Sequence, residues 1–159
     1  MKLYDFDGMF DQKLSDYIAK NAGKYREEEW EDLIPKLYRE FGDVYIKSVG
    51  NTPNGFYAAL SEEELVSALK THLKRGVPVS EFLCNAIESR CGASLLMPLL
   101  DGTEDEREYA VNLIGSDDSA IKKYMQMIAL PDLDEDFKSR LADNIKEKAD
   151  LVLNEAVES

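Results

Sequence analysis

The sequence is short of cysteine, histidine and positive charge. Its 159 residues include two cysteines, one histidine, and 19 lysines and arginines against 32 aspartates and glutamates. Two cysteines cannot form the framework of a stapled secreted domain, so a reducing, cytoplasmic setting is expected. Cys84 and Cys91 lie seven residues apart on one helical face, about 10 Å apart along the axis and beyond disulfide reach. With His72 they make three potential zinc ligands without a Cys-x-x-Cys clip, so no metal is expected. A Ser-His-Asp triad would have to use His72, and no Gly-x-Ser-x-Gly elbow accompanies it. Neither a Gly-x-x-x-x-Gly-Lys loop nor a Gly-x-Gly-x-x-Gly turn occurs, so no cofactor is expected. There is no run of about 18 apolar residues, and the opening MKLYDFDGMF carries acids, so neither a membrane span nor a secretory signal is expected. The net charge of −13 repels nucleic acid and anionic membranes. It suits a protein partner with a basic face.

What the chain has is helical periodicity, in a length that fits one domain. Hydrophobic residues make up 44%, enough for a core. Phe10, Leu14, Tyr17, Ile18 and Ala22 recur at steps of three and four before Gly23. Trp30, Leu33, Ile34, Leu37, Tyr38 and Phe41 form a second stripe, with Trp30 read as core and Pro35 expected to kink or break the helix. Residues 43–60 read as irregular: Val44 to Ile46 fit a strand or more helix, and NTPNG reads as a turn.

Ser61 with Glu64, and Thr103 with Glu106, have capping-box spacing. Ser80, Ser116 or Asp118, and Asp134 are the other expected helix starts, and His72 falls on an apolar stripe as a structural histidine. The spacing predicts an all-α fold of about eight helices, as a HEAT-like stack or a compact irregular bundle. Composition shifts near residue 60: of the 15 aromatic residues, 11 precede residue 58. An aromatic-rich cap (1–60) on an acidic helical array (61–159) is the sub-structure this implies.

Pro98-x-x-Asp101-x5-Arg107 recurs as Pro131-x-x-Asp134-x5-Arg140. Around the first copy, Leu99, Leu100, Asp101, Arg107, Ala110, Leu113 and Gly115 resemble a HEAT-type repeat, which spans about residues 94–148. The resemblance implies a ladder in which Asp101, Arg107, Asp134 and Arg140 link neighbouring layers. Asp5-Phe6-Asp7-Gly8 resembles the nucleophile motif of haloacid-dehalogenase-type phosphatases, in which both carboxylates hold magnesium. That chemistry needs a buried strand to aim Asp5 and Asp7, and helices follow instead. Asp132, Asp134 and Asp136 alternate like a calcium loop, but Phe137 and Asp143 stand where an EF-hand needs Gly and Glu.

Acidic runs at Glu27–Glu29, Glu62–Glu64, Glu104–Glu106 and Asp134–Asp136 sit at helix starts, where the dipole favours anions. If several helices stack in register, these runs also merge into a negative rim. No catalytic set emerges. The expected function is a non-enzymatic protein-interaction module, with an acidic inhibitor or immunity-type protein as the alternative and a phosphohydrolase using Asp5 and Asp7 as the second. Tyr45, Phe56 and Tyr57 flank the NTPNG segment and are the expected exposed anchors for a partner.

Overall fold

The structure, a computed structural model, describes residues 1–158. Among these residues it is all-α, with nine α-helices, one 3-10 turn, and a lone antiparallel bridge between Ile46 and Asn51. The chain divides into two compact units, Met1–Arg90 and Cys91–Ser159.

The first unit holds α1 (Phe6–Lys20), α2 (Glu27–Phe41), α3 (Pro53–Ala58), α4 (Glu62–Arg75) and α5 (Glu81–Arg90). Asp5 starts α1 by accepting the Gly8 N–H at 2.8 Å. Ser61 and Glu64 form the expected reciprocal box, with both bonds at 3.1 Å. Gly76 ends α4 at φ +69°, a left-handed conformation that a side chain would strain. His72, fully buried in the last turn of α4, bonds through Nδ1 the carbonyl of Val77 just past Gly76 at 3.1 Å.

Two expectations are narrowed here. Pro35 does not break α2, which runs through it: only one backbone donor is lost, and the flanking apolar face still packs. NTPNG is a helix start, because Thr52 accepts the Gly55 N–H at 2.9 Å and Pro53, which needs no N–H partner, opens α3.

Aromatic residues fill this unit. Phe6 meets Tyr4, Phe56 and Tyr57 at centroid distances of 5.7–5.8 Å, and Phe56 lies 5.2 Å from both Tyr4 and Tyr57. Phe10 touches Tyr38 and Phe41, and Tyr38 stacks on Phe82 at 4.6 Å and 9°. Phe82 belongs to α5, so the packing boundary falls at Arg90 rather than at the composition shift near residue 60. Gly42 permits the close approach of this layer, since a Cβ there would lie 2.7 Å from the Phe82 ring. Trp30 is half-buried rather than core, in a corner with Tyr17 and Tyr25.

The second unit holds α6 (Ala93–Leu96), a 3-10 turn (Met97–Asp101), α7 (Glu104–Ile114), α8 (Asp118–Ile128) and α9 (Glu135–Glu158). Thr103 caps α7 through the Glu106 N–H at 3.2 Å. Asp117, not Ser116 or Asp118, caps α8: its carboxylate accepts both the N–H and the hydroxyl of Ser119, which also hold its pKa down. Asp134 opens α9 by accepting the Phe137 N–H at 3.2 Å. Leu99, Leu100, Ala110, Val111, Ala120, Tyr124, Phe137 and Leu141 are buried and form its core.

Candidate functional site

The first unit carries an open cleft of about 520 Å³ with an apolar floor and an acidic rim. Phe10, Ile34, Pro35 and Tyr38 supply the floor; Asp7, Asp11 and Glu81 supply three carboxylates; Arg39 is the one basic group among its lining residues. Helix geometry explains the clustering. Asp7, Phe10 and Asp11 recur at steps of three and four on α1; on α2, Tyr38 follows Ile34 by four and Pro35 by three, and Arg39 follows Pro35 by four. Glu81 is the first residue of α5.

The Tyr38 hydroxyl is the hinge of the site. It donates to Asp7 at 2.7 Å and accepts the Glu81 N–H at 3.0 Å. It thereby joins α1 and α5, while its ring rests on Phe82. Burial pushes the Asp7 carboxyl above its ordinary pKa, and the Asp5 and Asp11 charges push the same way against the Tyr38 bond. Burial likewise raises the Tyr38 hydroxyl. Burial, then the Glu88, Glu81 and Asp7 charges, pushes the Cys84 thiol up to about 11, so it is a poor nucleophile.

Asp5 and Asp7 lie at a helix start rather than on a strand, at the cap and in the first turn, and each has its own partner: Asp5 the Gly8 N–H and Asp7 the Tyr38 hydroxyl. Of the three expected anchors, Tyr45 is 65% exposed and Phe56 half-buried, whereas Tyr57 is only 1% exposed. Tyr57 is therefore no surface anchor: α3, once started at Thr52, turns it onto Phe6. Asp11, Tyr38 and Glu81 were not among the expected site residues. Tyr38 meets Asp7 and Glu81 across 31 and 43 residues of sequence, and no local motif marks the meeting.

In the second unit the ladder residues find other partners. Asp101 pairs with Lys123 at 2.6 Å, Arg140 pairs with Glu108, and Asp134 caps α9. Arg107 and Arg140 both lie over the Phe137 ring, at 5.9 and 5.4 Å. The pairing of Asp101 with Arg107 is thus replaced by a cation–π arrangement. A double-mutant cycle on Asp101→Ala and Arg107→Ala should show coupling below about 0.3 kcal/mol, since neither residue serves the other. Phe137→Leu with Arg107→Ala should couple by about 0.5–1 kcal/mol in denaturant unfolding. The reverse ranking would restore the ladder.

Comparison with protein-family models, with curated proteins and with solved structures finds no match to this chain.

Proposed function

We infer that the chain is a non-enzymatic protein-binding module whose cleft in the first unit receives a lysine- or arginine-bearing segment of a basic partner. The observation that supports this most is the convergence of Asp7, Asp11 and Glu81 over the Phe10–Ile34–Pro35 floor. A long cationic side chain lays its methylene stem along apolar surface and keeps its charged head among acceptors. The net charge of −13 steers such a partner toward the molecule. Tyr45, exposed in the same unit, adds an aromatic contact of the type that anchors interfaces.

The burial of Asp7 makes the site costly to keep ionised in the absence of a cation. Its folded pKa lies above the unfolded value, so the cost is fully present above the folded pKa and is relieved as pH falls toward 3.8. Asp7→Asn keeps an acceptor for the Tyr38 hydroxyl and removes that cost. It should therefore raise the melting temperature at pH 7, with the gain vanishing in acid. The same variant should bind more weakly to a capped peptide of alternating lysine and leucine. For the native chain, raising salt from about 50 to 500 mM should slow the peptide's association. An Asp7→Asn protein that melts lower at pH 7, or binds the peptide as tightly as the native chain, would contradict the reading.

A further inference from the structure

In the second unit α9 is 24 residues long and α8 is 11, which is about 36 Å against 16 Å. The two helices turn back on each other, and their register is set by Lys148, which pairs with Asp118 at the start of α8 at 3.0 Å. Beyond that pair, α8 offers nothing more to pack on. Residues 149–157 of α9 are all exposed, with Leu153 at 62% and Val157 at 85%. The helices frame an open groove of about 740 Å³, floored by Ile121, Met125, Ile145, Ala149, Val152 and Leu153. Met125 is 60% exposed, so the apolar surface extends onto α8.

A contiguous exposed apolar stripe on an otherwise charged surface is the kind of surface a partner covers. Its spacing and its charges specify the occupant. Ile145, Ala149 and Val152 follow steps of four and three, the pattern of a helix–helix seam. The overhang carries Asp150 and Glu155 and no basic residue between 149 and 157. The groove has Lys122 on its rim, and Lys122 enters no ion pair among the described residues.

We propose that the groove is filled by the α9 overhang of a second copy of this chain, running antiparallel, so that two α8–α9 hairpins form a four-helix arrangement. A two-fold axis makes the contact self-complementary, each overhang covering the other's groove. The register follows from the seam. Setting Ala149 against the second copy's Val152 brings Glu155 within a turn of the second copy's Ile145. The Lys148–Asp118 pair places Ile145 beside Ile121 and Lys122 in the same hairpin. Glu155 of one copy thus meets Lys122 of the other, twice in the dimer. This surface belongs to the second unit and does not depend on the cleft of the first.

Sedimentation equilibrium of the full chain over about 5 to 500 µM tests the proposal. The native chain should associate to a dimer. Val152→Glu with Leu153→Glu changes only exposed positions, so it should leave the helical circular dichroism intact and abolish association. Lys122→Glu should raise the dimer Kd about tenfold through the two symmetric pairs, and adding Glu155→Lys should restore it. A native chain that stays monomeric throughout, or a dimer indifferent to the Val152/Leu153 double substitution, would overturn the proposal. Failure of the charge swap to restore association would overturn the antiparallel register.

Discussion

Tyr57→Ala should cost the first unit about 3–5 kcal/mol, the range for emptying a large aromatic site in a core. Tyr57 is almost wholly enclosed and meets Phe6 and Phe56 edge-to-face at 5.7 and 5.2 Å. Such pairs add to the area they bury, because ring edges face ring faces. Domains of this kind are stable by about 5–15 kcal/mol, so the loss removes a large part of the total. Trp30 is the only tryptophan and lies in the same unit, so its fluorescence in a urea titration reports the change directly. Tyr45→Ala, at an exposed position, should fall within about 0.5 kcal/mol of the native chain. Equal effects at the two tyrosines would mean that Tyr57 faces solvent.

The second large effect belongs to Tyr124. Its ring is buried in the core of the second unit, and its hydroxyl donates to the Gly115 carbonyl at 2.7 Å. Gly115 ends α7 at φ +59°, so this bond fixes the turn between α7 and α8. Tyr124→Ala should cost about 3–5 kcal/mol, and Tyr124→Phe about 0.5–1.5 kcal/mol from the lost bond. Hydrogen exchange should show lost protection over residues 104–128. Burial, then the Asp117 charge, pushes the hydroxyl up to about 12. The unfolded tyrosine releases its proton first as pH rises past 10, so the stability from this group is present below pH 10 and lost toward 12. Native protein should therefore weaken between pH 10 and 12 more than Tyr124→Phe does. Parallel behaviour of the two would remove Tyr124 from the alkaline transition.

The elements that were legible in the sequence are those whose signals are local. Ser61 with Glu64, Thr103, Asp134 and Gly76 act within one helical turn, and each stands at the boundary that its chemistry demands. Local signals also misled where two readings share one residue. Thr52-Pro53 serves a turn or a helix start, and the helix is the outcome that also packs Tyr57 against Phe6. Asp117 lies between two other capping residues, and the choice rests on which one reaches Ser119. The cleft was not legible, because Tyr38 must find Asp7 and Glu81 across the fold. Asp7 stood out in the sequence for chemistry that needs a strand, and the helix beneath it gives its carboxylate a different use.

The most direct test of the protein-binding reading is an amide NMR titration of the full chain with the capped lysine–leucine peptide, beside the Asp7→Asn/Asp11→Asn/Glu81→Gln variant. Saturable shifts should centre on Asp7, Asp11, Tyr38 and Glu81 and vanish in the triple variant while its helical spectrum is retained. Shifts centred elsewhere, or undiminished in the triple variant, would contradict it.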